Sequence, residues 1–163
     1  MLLSRQVSVA KLFVGVLAVF GVSFTVAVAL YPPATHSCAH CEPLQKLVEQ
    51  ALEIAAFIAA RNAMTVLLYH LIARLRPKLA LALLHIQAAL QGFIAGAGYM
   101  PYILRVCTVA PHLVPELLSL ALATVGGTEK NVALLITAIT LAFIGALVEA
   151  TLTPRLCLQA IQC

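Results

Sequence analysis

The chain has 163 residues, 63% of them hydrophobic and only 10% charged, with a mean hydropathy of +1.03. Soluble domains carry about a quarter charged residues, so this composition excludes a water-soluble fold. The formal net charge of +4 is accounted for by basic residues flanking the apolar runs, which points to lipid and not to nucleic acid.

The apolar runs are Ala- and Leu-rich blocks, not the ten-residue alternating segments of a transmembrane barrel. The expected fold is therefore all-α: a single polytopic helical membrane domain over 1–163 with about five helices, each of roughly 20 residues. The first candidate, 12–31, follows a basic leader with Arg5 and Lys11. A cleaved secretory signal with Ala27-Val28-Ala29 as its weak site is the alternative, but its apolar core is normally about 7 to 15 residues, shorter than this run. A retained helix is the preferred reading.

The loop that follows, "YPPATHSCAHCEP", holds His36, Cys38, His40 and Cys41. A Cys-x-x-Cys pair ligates zinc, forms a disulfide, or holds haem when histidine follows directly; here Glu42 follows, which argues against haem. Four ligands within six residues wrap poorly around one tetrahedral ion, so metal is the weaker option and no cofactor is expected. With Cys107, Cys157 and Cys163 there are five cysteines, all on the outer side if the N-terminus is inside, where disulfides persist. Structural disulfide, free thiol and metal remain alternatives, and the odd count leaves one thiol unpaired or shared between chains.

Leu44, Leu47, Val48 and Leu52 recur at helical spacing with polar residues between them, an interfacial turn leading into the second span, 51–73. That span ends at Arg74, Arg76 and Lys78; the third is expected over 79–104, the fourth over 112–125 and the fifth over 132–153. Placing basic residues on the cytoplasmic side puts the N-terminus of this cell-membrane protein inside, with Lys130 also inside and Lys46, Arg105 and Arg155 outside.

The fourth run breaks the pattern. At 1.5 Å per residue it covers about 21 Å of a core about 30 Å thick, so it reads as short or re-entrant, with Pro111 and Pro115 near its start and Gly126-Gly127 as its stop. A re-entrant fourth segment reverses the fifth helix and brings the C-terminus inside.

Depth along the helices then places Glu53, Glu116 and Glu149 at one level beneath the outer face, with Arg61 deeper and Gln91 near mid-depth. An isolated charge at the midplane costs at least about 2.5 to 3.5 kcal/mol on insertion scales, so Arg61 needs a partner, with Glu116 the first candidate. His112 and Glu116, four residues apart, share one helical face. Interhelical hydrogen bonding that fixes helix order is the plainer reading of this polar core; a solvated substrate path is the sharper one. Gly92 and Gly96 read as structural, since small residues at four-residue spacing let backbones approach. No metalloprotease H-E-x-x-H and no serine with an activating base is present, so an enzyme is not expected.

In order along the chain, Arg61-Asn62, then Gln91-Gly92 with Gly96, then Pro111-His112 with Glu116, and finally Glu149 with Thr153-Pro154 form a series. This series resembles the stage II sporulation protein M family of integral membrane proteins, from the second helix to Pro154. It matches that family's asparagine-bearing segment, its polar-Gly-x-x-x-Gly segment, its Pro-His-Gly-x-x-Glu motif and its Glu-x-x-x-Thr-Pro ending. Leu113 stands where the family has glycine after the histidine, and Arg61 where a second asparagine is common. The resemblance implies a fold and a topology, no reaction, and a role as a membrane anchor or permease-associated component. Its partners are then lipids and other membrane proteins or a second copy of the chain. A transporter or channel-like protein binding an ion or small solute at the outward polar cluster is the alternative.

Overall fold

The structure, a computed structural model, describes residues 8–31, 50–97, 102–152 and 155, with side chains from 111 onward in the third stretch. The described residues form five helices: α1 (Val9–Leu30), α2 (Ala51–Leu75), α3 (Pro77–Ala97), α4 (Tyr102–Glu129) and α5 (Val132–Leu147), the last continued by a π-helical turn over Val148–Leu152. Four of them, α1, α2, α3 and α5 with its π turn, are long and apolar enough to cross a membrane. The fold is all-helical and of the multi-pass membrane type.

Local chemistry explains both tight turns. Arg76 alone separates α2 from α3: at φ −142° and ψ 78° it leaves the helical region, which is disfavoured for the residue before a proline, and Pro77 opens α3 where its missing N–H costs nothing. Between α4 and α5, Lys130 takes a left-handed φ of 56°, and Asn131 caps α5 by accepting from the Ala133 and Leu134 amides at 3.0 and 3.3 Å.

These turns set the directions. α1 runs parallel to α3, with Gly15 beside His85 near one end and Gly96 against the Phe24 and Ala27 region toward the other. α2 and α4 run parallel, since Gly127 near the end of α4 packs on His70 and Ala73 near the end of α2, and α4 and α5 are antiparallel, since Gly126 faces Leu134 while Gly145 faces Pro115. The turns at Arg76 and Lys130 therefore lie at one end of the bundle.

α4 is the axle. Among the described residues it alone packs against all four other helices, whereas α1 touches only α3 and α4. From Leu117 to Gly127 every residue but Leu118 is buried, and of its large apolar side chains described, from residue 111 onward, only Val114 is exposed. A helix buried all round must be screened by its neighbours. Those neighbours turn small residues inward, such as Ala80, Ala88 and Gly92 on α3 or Ala138, Ala142 and Ala146 on α5, and large apolar ones outward, such as Phe57, Met64 and Ile94. This inside-out pattern suits lipid, where close backbone packing rather than water exclusion holds helices together.

The expected short fourth segment is corrected in its bounds. α4 is 28 residues long, with Pro111 and Pro115 inside it, and α3 ends at Ala97 instead of 104. Prolines remain tolerable within a membrane helix because neighbouring elements compensate the freed backbone groups. Gly126 and Gly127 do not stop the helix; they admit α5 and α2 at close range, and the stop comes at Lys130.

Candidate functional site

Six polar residues from four elements meet around the middle of α4. Arg61 and Asn62 come from α2, Gln91 from α3, His112 and Glu116 from α4, and Glu149 from the π turn after α5. His112 and Glu116 are one helical turn apart, and the charges of Arg61 and Glu149 act on both. Gln91 Nε2 donates to Glu116 Oε1 at 3.2 Å, joining α3 to the centre. A carboxylate only accepts, so this contact fixes the orientation of the Gln91 amide.

Arg61, exposed on α2, finds an acceptor locally. Its Nε and Nη2 donate to the Oδ1 of buried Asn62 at 3.2 and 3.1 Å, so the expected pairing with Glu116 is corrected to an electrostatic influence without a hydrogen bond. The arginine reaches Asn62 first because the two are adjacent, while Glu116 is held by Gln91.

With α4 beginning at Tyr102, Glu116 stands halfway along that helix, not just beneath one face of the bundle as its expected start implied. Glu53 does not join the cluster. It is exposed in the first turn of α2, where a negative charge complements the helix N-terminus.

Glu149 owes its position to the π turn, which widens the helix by a residue per turn; such turns occur often at functional sites. Gly145, one turn earlier, faces Pro115 and the Glu116 backbone, so α5 approaches α4 closely at this level.

An open pocket of about 230 Å³ adjoins the cluster, lined by Phe20, Gln91, Ile94, Ala95, His112, Leu113 and Glu116. Within its walls the buried Gln91 Oε1 and His112 Nδ1 have no hydrogen-bond partner. Leu113, where the resembled family has glycine, is part of the lining.

Further from the centre, Tyr69 donates to Gln87 Oε1 at 2.7 Å, and His85 Nδ1 donates to the Leu81 carbonyl at 2.7 Å. The Tyr69 pairing was not anticipated, although the hairpin geometry holds the signal: both residues lie within about three turns of the Arg76 link, on facing helices. Phe20, which closes the pocket from α1, carried no signal in the sequence.

Gly92 and Gly96 lie against α1, where an added Cβ meets the Phe20 carbonyl oxygen at the first and Phe24 O and Ala27 Cβ at the second. Candidate ligands His36, Cys38, His40 and Cys41, and the cysteines Cys157 and Cys163, lie outside the described residues, as do Thr153, Pro154 and the side chain of Cys107. Among the described residues no three His, Cys, Asp or Glu side chains are grouped to hold a metal ion.

Comparison of the chain with protein-family models, with curated proteins and with solved structures gave no match.

Proposed function

We propose that the chain is a non-enzymatic integral component of the cell membrane, a scaffold or permease-associated subunit of the stage II sporulation protein M type. Its N-terminus is cytoplasmic, and its partners are lipids together with membrane proteins or a second copy of itself, not nucleic acid. The observation that carries this reading is the convergence of Arg61-Asn62, Gln91, His112, Glu116 and Glu149, drawn from four elements, around one central helix. Those residues are among the ones on which the family resemblance rests. Polar groups joined helix to helix fix the order and register of a bundle, which is what an anchoring subunit requires.

A second reading, a carrier or channel-like protein, is favoured by one feature: the open pocket beside Glu116 with unpartnered polar atoms in its wall. Flux measurements on proteoliposomes separate the two. An anchoring subunit leaves Na⁺, K⁺, proton and methylammonium fluxes, followed with potential- and pH-sensitive dyes, at the level of protein-free vesicles. Flux above that level that disappears in Glu116→Gln transfers the assignment to the second reading.

A further inference from the structure

We infer that the pocket between α3 and α4 is a binding site for a small organic ammonium ion. The inference requires only a ligand and not its transport, so it holds for a sensing subunit as well as for a carrier. Three features of the pocket specify this chemistry.

The first is charge. Counted at formal charge, the cluster holds two carboxylates, Glu116 and Glu149, against one guanidinium, Arg61, which donates to Asn62. A carboxylate inside the bundle is costly without a counterpart, and Arg61 already donates to Asn62, so the ligand that complements an ionised Glu116 is a monovalent cation.

The second is hydrogen bonding. Of the Glu116 carboxylate, which lines the pocket, Oε1 accepts from Gln91, and its second oxygen is a further acceptor. A carboxylate is acceptor-only when ionised, and a primary ammonium group brings three donors.

The third is the wall. Apart from Gln91, Glu116 and the His112 imidazole, the lining is apolar, made by Phe20, Ile94, Ala95 and Leu113, and the volume of about 230 Å³ exceeds the needs of a bare ion. A water molecule's share of liquid volume is only about 30 Å³. A cation with a short hydrocarbon body fills such a space, with an aromatic ring in the lining that suits a cation further. A dehydrated inorganic ion leaves the apolar wall unused.

The test is thermal unfolding of the full chain in nonionic detergent, titrated with n-butylammonium chloride. NaCl and KCl at equal ionic strength and 1-butanol at equal concentration serve as comparisons. The expected result is a saturable rise in Tm with butylammonium alone. In Glu116→Gln the apparent affinity falls by about tenfold or more. Ile94→Trp gives the same loss by filling the pocket; because Ile94 is exposed, this variant keeps the fold and the charges. Glu53→Gln, remote from the pocket, responds like wild type.

An equal rise with Na⁺ or K⁺ overturns the proposal in favour of an inorganic ion while leaving a solute site in place. An equal rise with butanol shows an apolar additive only. No saturable rise with butylammonium, or an unchanged rise in both Glu116→Gln and Ile94→Trp, removes the site altogether, and the anchoring role survives that result.

Discussion

Arg61 illustrates how one side chain decides between two accounts of the centre. It lies about 15 Å along α2 from its start, beyond the reach of its own side chain to the nearer helix end, and it leans on Asn62. Asn62→Leu leaves those guanidinium donors without their acceptor, so unfolding in mixed micelles should show a loss of about 1 to 3 kcal/mol. A variant as stable as wild type means that Arg61 draws instead on Glu116 and Glu149. Glu53→Gln, by contrast, should change stability by less than about 0.5 kcal/mol, because the side chain is exposed. The identities of the central residues were legible in the sequence because charged and amide groups are conspicuous against an apolar background. Their pairing was not. Depth alone put Glu53 level with the other carboxylates, yet nine residues separate it from Asn62, about half a turn around the helix at 3.6 residues per turn, so the buried face of Asn62 turns Glu53 outward.

At the scale of the element, glycines divide by what lies opposite them. A Cβ at Gly92 runs into the Phe20 carbonyl oxygen, and backbone cannot rotate away as a side chain can, so α1 and α3 must separate. Gly92→Ala should therefore cost about 1 to 3 kcal/mol. Gly21 has nothing within 4 Å of its added carbon, so Gly21→Ala should be neutral or stabilising by up to about 1 kcal/mol through helix propensity alone. The two variants, unfolded side by side, compare a packing glycine with an idle one; equal effects argue against a close α1–α3 contact. Lys130→Gly should stabilise by about 0.5 to 1 kcal/mol, since lysine is held at a left-handed φ that glycine adopts freely. Four-residue spacing made the role of Gly92 and Gly96 readable in advance. The bounds of α4 were not readable, because proline and paired glycine signal helix ends in water, and inside a packed bundle the same residues serve continuity and close approach.

For the molecule as a whole, the contacts of Gly127 with His70 and Ala73, and of Gly15 with His85, place the start of α1, the α2–α3 turn and the α4–α5 turn at the same end of the bundle. Arg74, Arg76, Lys78 and Lys130 gather there with Lys11, the charge bias on which the proposed cytoplasmic placement of this end rests. The number of helices and this charge bias follow from hydropathy and basic residues alone; the central position of α4 does not, because its burial depends on four partners distant in sequence. The arrangement yields a direct expectation. With the native cysteines replaced by serine, single cysteines at Ser8, Lys78 and Lys130 should resist a membrane-impermeant thiol reagent in intact cells and react once the membrane is opened. Cysteines at Tyr31 and Gln50, beyond the opposite helix ends, should react at once. A full crossing by α4 is what keeps Lys78 and Lys130 on one side. If Lys130 is labelled from outside while Lys78 is protected, α4 enters and returns on the same face, and the gathering of Arg61, His112, Glu116 and Glu149 at mid-depth loses its basis.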